Sequence, residues 1–421
     1  MRRFIAGVLS MVIAGGVAAC SPGAGAADGD VKLSVWGWRT EDVTVYNKIF
    51  EKFEGTHPGI DVEYRAYKNT EYNTILQTGL SGDSGPDLAQ LRAYGELQPA
   101  IASGGLLALD AAVPRLASFP AATLDGARGR ADGKIYGVPF AIQTMHVVYN
   151  KKLFADNGVA PPQTWQQMLD GAATLQRKKI IPFAVNVRDD WMIPIEHEIF
   201  GATRYGGAAF EKRVLAGEAK FTDPDYVASI ETYAGTSKYW QPQFSGVGYE
   251  DAKALFVSGK AAMFPGGVWE LAGFRKSAPD IELGIFSVPP SPGAVLDKAV
   301  TPGFVDGSFG VATRTRSKDE AVELARWMAT PEFGQAFSDQ LIQISAVPGT
   351  APTDPLLKQA FDAYTANPSP YLMYADFSYG TPPGAEVLRT NVSAVLLGTG
   401  NATDAAKELQ RSVDTWFKPR G

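Results

Sequence analysis

Tryptophans gather where strands should end. Trp36 and Trp38 close VKLSVWGW (31–38), and Trp191 sits in NVRDDWMIP after a strand candidate at 181–187. Trp269 follows the apolar run 261–264 in KAAMFPGGVWELAG (260–273), where Pro265, Gly266 and Gly267 are expected to break the strand. In open α/β sheets, ligands sit in the crevice outside the carboxyl ends of strands. An aromatic face flanked by Asp, Asn, Gln and Arg suits a molecule with apolar C–H faces and a ring of hydroxyls, which is the surface of a sugar. Core packing is the competing role for each ring. Trp36 leans towards the core, because strand alternation points it away from Trp38. Trp165 and Trp327 fall within amphipathic helices and belong to the core, while Trp240 and Trp416 have no deciding neighbour.

Other chemistries fail on inspection. SGKA (258–261) has the Gly-Lys of a phosphate loop, yet Ala261 replaces the magnesium-binding hydroxyl and Ala254 the first glycine. EHEIFG (196–201) places Gly201 where a zinc helix needs its second histidine. GDSGP (82–86) lacks the frame of a nucleophile elbow around Ser84. His57, His146 and His197 lie far apart in the chain. None of the 45 acidic residues shows a spacing that singles out a catalytic pair. No catalytic residue, metal ligand or cofactor is therefore assigned.

The elements that must position the tryptophans follow from the rest of the chain. At 421 residues it exceeds one compact core, and 45% apolar with 20% charged residues is an ordinary globular balance. Arg2 and Arg3 precede an apolar stretch at 4–18 that is too short to span a bilayer comfortably, and VAAC then ends at Cys20. This pattern resembles a bacterial lipoprotein signal, with residues 1–19 removed and Cys20 lipidated. Cys20 is the one cysteine, so disulfides and cysteine-rich metal sites are excluded. Residues 20–30 read as the lipidated end and a flexible tether. Loss of the signal deepens the net charge of −6 by two, which argues against nucleic-acid binding.

Beyond the tether, strand and helix alternate. VKLSVWGW is a strand, and DVTVYNKIFEKFEG a helix with Val45, Tyr46, Ile49, Phe50 and Phe53 on one face. GIDVEYRAY, residues 70–80 and DLAQLRA continue as strand, helix and strand. Further strands are expected at 134–149, 181–187, 261–264, 282–288 and 307–313. Thr164 with Gln167, and Ser317 with Glu320, have the spacing of capping boxes. Two α/β lobes fit this layout better than one very wide sheet.

The segment DGKIYGVPFAIQTMHVVYNKKLFADNGVAPPQTWQQML (132–169) resembles the stretch by which extracellular solute-binding proteins of bacterial sugar ABC importers are recognised. FEKFEGTHPGIDVEY, GPDLAQL, GGLLALD, ALFVSGKAAMFPGGVWEL and SFGVATRTRSKDEAVELARWMATPEFGQAF are similar to other stations of that family, in the same order. The resemblance covers nearly all the chain after the tether. It implies the two-lobed type II periplasmic-binding-protein fold, α/β in class, with a ligand cleft between lobes joined by hinge strands. Lobe one would be 31–140 with 301–345, and lobe two 141–300 with 346–421.

The resemblance also implies contacts, residue by residue. Trp38, Arg39, Thr40 and Glu41 fall in the turn after the first strand, and Gln90, Arg92 and Tyr94 in the stretch after GPD. Many relatives carry an acid near Arg92 and Tyr94, and this departure leaves room for an acidic or larger glycan. Gln143 stands at the hinge crossing, Asp189 and Trp191 match an acidic–aromatic pair, and Trp269 matches a stacking aromatic beside Gly267. Gly303, Phe304 and Tyr379 complete the set. The implied function is capture without chemistry by a monomer, which passes a carbohydrate to the permease of an ABC importer and is held to the membrane by lipid. A secreted glycan-cleaving enzyme using the same cleft, or a receptor for a polyamine, stays open on the residues alone.

Overall fold

The computed structural model describes residues 31–419, so the signal sequence, Cys20 and the tether lie outside the described residues. Ten strands are described: β1 (Val31–Gly37), β2 (Ile60–Ala66), β3 (Leu88–Arg92), β4 (Val138–Asn150), β5 (Ile181–Phe183), β6 (Ala261–Gly267), β7 (Leu283–Phe286), β8 (Thr301–Val311), β9 (Ile344–Ser345) and β10 (Pro368–Pro370). They form a path in the order β2-β1-β3-β8-β4-β6-β5, with β10 on β8 and with β7 and β9 on β4. β1 lies parallel between β2 and β3, as connections through helices require.

The path changes sheet within β4. Up to Thr144 this strand pairs with β8, and from Met145 onward with β6 and β7. One long strand therefore serves both sheets, and β8 runs antiparallel beside its first half. Leu33, Val35, Ile49, Phe50, Phe140, Phe309 and Phe337 pack into one core on the β1–β3 side. Val147, Phe183, Phe200, Tyr233, Met263 and Leu409 build another around β6, and Phe256, Phe264 and Phe274 a third. Each such side chain contributes roughly 1.5–3 kcal/mol on burial. The chain has a two-lobed α/β fold.

Local signals decide the ends. The helix Val43–Glu54 buries Tyr46, Ile49, Phe50 and Phe53 and stops at Gly55. Thr164 and Gln167 form both halves of their capping box ahead of the helix Trp165–Arg177. Ser317 does not cap the helix Lys318–Met328: its amide instead donates to the Thr315 hydroxyl at 3.2 Å, so Thr315 organises that start. The strand from Ala261 does not break at Pro265 but runs on to Gly267, with Pro265 opposite Val147 and Gly267 opposite Met145. β5 accompanies β6 only as far as Met263. Beyond that point β6 is an edge on one side, where a proline is tolerated.

Candidate functional site

Of the tryptophans expected at strand ends, Trp191 and Trp269 meet on Tyr249 near the point where β4 leaves one sheet for the other, whereas Trp36 packs on Tyr67. From the second lobe, Trp191 lies 4.8 Å from the Tyr249 ring, centroid to centroid, and the Tyr249 amide donates to Asp189 at 2.7 Å. Trp269 donates through Nε1 to the Tyr249 hydroxyl at 2.9 Å, and that hydroxyl donates to Glu270 at 2.6 Å. Burial pushes the Glu270 carboxyl up, against the pull of Lys253 and Arg39. Trp269 meets Phe304 edge to face at 6.4 Å, and Phe304 meets Tyr371 at 5.4 Å and Tyr374 at 5.1 Å. Trp191 and Phe304 keep part of their surface exposed.

The first lobe supplies the facing groups. Trp38 is buried between Tyr72 and Phe140, and the Arg92 guanidinium lies 4.0 Å over its ring. Arg39 binds Asp42 at 2.5 Å and Glu41 at 3.1 Å, and its Nη2 donates to the Trp269 carbonyl at 3.0 Å. Thr40 and Glu41 are exposed beside it. Tyr94, in a left-handed conformation at φ 57°, accepts from the Val305 amide at 3.3 Å and packs on Tyr374. The Tyr374 hydroxyl accepts from the Ala93 amide at 3.2 Å, and Arg130 lies 4.2 Å over the Tyr379 ring. Residues 38–130 thus touch residues 269–379 directly along this band.

Gln90, Gly267 and Gly303 turn inward, as does Gln143, which is 1% exposed. Gln90 is fully buried: its amide nitrogen donates to Tyr46, and its oxygen accepts from Tyr64 at 3.0 Å and from the Trp38 amide at 3.4 Å. It lies on β3, which has β1 on one side and β8 on the other, and it supports Trp38 from beneath. Gly267 is covered by its own neighbour, since a Cβ there would lie 1.7 Å from the Trp269 ring. Gly303 is covered by Tyr364, which a Cβ would meet at 2.5 Å. These two glycines admit protein rings rather than an outside molecule.

One acid escaped the sequence reading. Asp306 on β8 is 9% exposed and accepts from Gln143 Nε2 at 2.9 Å, and the same nitrogen donates to Gln343 Oε1 at 2.9 Å. Burial raises the Asp306 carboxyl, while Gln143, Arg92 and Arg39 pull it down. VDGSFG gave no cue, because an acid between valine and glycine in a strand reads as an edge or a turn. Among the described residues no group of three or more His, Cys, Asp or Glu is placed to hold a metal ion. No helix among them is long and apolar enough to cross a membrane.

Comparison with known proteins follows the same line. Residues 48–387 match a family described as bacterial extracellular solute-binding protein. A multiple sugar-binding protein of Streptococcus mutans is 25% identical over 247 residues, which is 55% of this chain and 57% of that one. The chain therefore spans little more than half the length of that relative. The diacetylchitobiose binding protein DasA of Streptomyces coelicolor is 24% identical over 97% of both chains. A structure solved in work on xylan utilization by Caldanaerobius polysaccharolyticus superposes with a TM-score of 0.79 at 23% identity, over 91% of this chain and 100% of the other. That likeness concerns the fold.

Proposed function

The chain belongs to the bacterial extracellular solute-binding protein family, and from that premise we propose that it is the carbohydrate receptor of an ABC importer. It captures a mono- or oligosaccharide between its lobes and delivers it to a membrane permease, without chemical change. The observation that carries this reading is the aromatic band Trp191–Tyr249–Trp269–Phe304–Tyr374, set across the junction of the two sheets with hydrogen-bonding side chains beside it. A sugar ring stacks on such faces, and hydroxyls reach Asp189, Arg92 and the neighbouring polar groups. The relatives that are named for sugars support the ligand class.

Trp38, Arg39, Thr40, Glu41, Arg92, Asp189, Trp191, Phe304 and Tyr379 are the contacts in this proposal, with Trp269 as the platform. Gln90, Tyr94 and Gln143 hold those contacts in place. Lobe limits at 31–140 with 301–345 and at 141–300 with 346–421 are part of the same proposal; the separate cores support them in outline, with Ala93, Tyr94 and Val305 packing across into the second core. So is the anchor: removal of residues 1–19 and lipidation of Cys20 would keep the receptor at the outer face of the membrane and raise its concentration at the permease.

A thermal-shift screen against mono- and oligosaccharides tests the reading, because a ligand that binds only the native state raises the melting temperature. Concentration-dependent stabilisation by at least one sugar is expected. Stabilisation by polyamines alone would overturn it.

A further inference from the structure

We propose that Asp306 reads the hydroxyls of the ligand, with Gln143 and Gln343 as its positioning residues, and that the site takes neutral or amino sugars in preference to carboxylated ones. This rests on the sugar-receptor reading above and adds to it a residue and a charge preference.

The strand register singles out Asp306. Ala141 pairs with Gly307 and the next residue, Ile142, pairs with Val305, so Asp306 has no partner on β4. Phe140 is likewise skipped between Pro139 and Ala141, so both strands advance by three residues between the Pro139–Ser308 and Ile142–Val305 pairs, and the ladder is locally irregular without an extra residue. The irregularity falls just before β4 leaves one sheet for the other, two residues from Phe304, and beside Gly307, which pairs with Arg92. Aromatic face and acceptor thus come from one strand.

The carboxylate is held at one end only. Gln143 donates to Oδ2, and Oδ1 accepts no hydrogen bond from the protein. Gln143 is fixed in turn, since both its neighbours, Asp306 Oδ2 and Gln343 Oε1, are acceptors and only the NH2 end of the amide can face them. Its own Oε1 is buried and unpartnered. A carboxylate and an amide oxygen side by side match adjacent hydroxyl donors or an ammonium.

The arginines are engaged elsewhere. Arg39 is taken up by Asp42, Glu41 and the Trp269 carbonyl. Arg92 is taken up by Asn69, by Glu96 at 3.9 Å and by the Trp38 ring. A ligand carboxylate beside Asp306 would find these two guanidiniums already paired with carboxylates and would meet Asp306 as a like charge. The acidic glycan that Arg92 suggests in the sequence is disfavoured by these contacts.

The test is calorimetric titration of wild type, Asp306→Asn and Gln143→Ala with glucose, galactose, xylobiose and chitobiose, and with glucuronic acid, galacturonic acid, glucosamine and galactosamine. Wild type should bind a neutral or amino sugar at least ten-fold tighter than any uronic acid. Asp306→Asn should weaken that binding about ten- to hundred-fold, the range for a hydrogen bond to a charged group, with unliganded melting little changed. The groups facing Asp306 are Gln143, Arg39, Arg92, Tyr46 and Tyr374, with Gln343 behind Gln143. Because the Gln143 amide pulls the Asp306 carboxyl down, Gln143→Ala should move the acid limb of the binding–pH profile to higher pH. An acid limb that stays in place overturns the positioning role. Tighter binding of a uronic acid by wild type, or unchanged sugar affinity in Asp306→Asn, overturns the proposal and leaves the receptor standing. Absence of binding by every sugar overturns the receptor reading and this inference with it. Should Asp306→Asn fail to fold, Gln143→Ala and the uronic-acid comparison carry the decision.

Discussion

The Nη2 of Arg39 donates to the main-chain carbonyl of Trp269 at 3.0 Å, joining residues 230 positions apart, one just after β1 and the other just after β6. The same guanidinium holds Asp42 at 2.5 Å through Nε. Only a fork of fixed donors can do both. The turn after the first strand is thereby tied to the platform on which the proposed ligand stacks.

Arg39→Lys should therefore loosen closure. One ammonium cannot reproduce both contacts, so the closed form becomes less populated and apparent affinity falls with that fraction. A hydrogen bond to a charged group contributes about 1.5–3 kcal/mol, so sugar affinity should drop at least ten-fold. The radius of gyration of the ligand-free protein should rise in solution scattering. Unchanged scattering together with unchanged affinity would show that the contact does not hold the lobes.

Trp269 is 7% exposed and belongs to the core as well as to the band. Trp269→Ala should cost stability on the order of 3–5 kcal/mol besides weakening sugar binding. Trp269→Phe keeps a ring but loses the bond to Tyr249, and should lower affinity with a much smaller loss of stability. Gly267→Ala should mimic the loss of the platform, because the new Cβ and the Trp269 ring cannot share one space. Calorimetry and chemical denaturation on the three variants separate the two effects. Equal affinity in all three would remove Trp269 from the binding surface.

Four buried groups give stability an opposed pH dependence. Glu196 and Glu198 receive hydrogen bonds from Tyr233 and Tyr205, and burial raises both carboxyls to about 8 from an ordinary 4.5. Their contribution is complete below 4.5 and is lost as pH rises through about 8, because the unfolded chain releases those protons first. Burial lowers His146 and His197 to about 3 from 6.5, so their contribution is present above 6.5 and is lost as pH falls towards 3. The double variant Glu196→Gln, Glu198→Gln should gain melting temperature over wild type between pH 5 and pH 8, each acid accounting for at most about 1.4 kcal/mol per pH unit. Parallel melting curves for the two proteins across that range would refute the assignment.

Cys20→Ala should abolish lipidation. After expression in a bacterial host that processes lipoproteins, wild type should partition with membranes and the variant should not. Membrane association that survives the substitution would place the anchor elsewhere.

Much of this layout was legible in the sequence, for identifiable reasons. Hydrophobic spacing located the helix Val43–Glu54, and the Thr164–Gln167 pair located the start of the helix Trp165–Arg177, because both signals are local. Of the strand-end tryptophans, Trp191 and Trp269 both engage Tyr249, whereas Trp36 and Trp38 belong to the core around β1. What escaped depends on pairing between distant segments. The end of β6 lies beyond Pro265 because the tolerance of a proline there depends on where β5 stops. Gln90, a ligand contact by resemblance, is enclosed by Tyr46 and Tyr64. Asp306 meets Gln143 across strands 163 positions apart in the chain, at a break in their pairing that no local pattern announces.

The central claim is reversible capture of a sugar. Calorimetric titration of the purified protein with neutral mono- and oligosaccharides tests it most directly, because one experiment records both binding and turnover. The account predicts saturable one-to-one binding of at least one of them, with a negative heat-capacity change as the apolar faces of the cleft are buried. Heat that continues at a steady rate after each injection, with reducing ends accumulating in the cell, would contradict it.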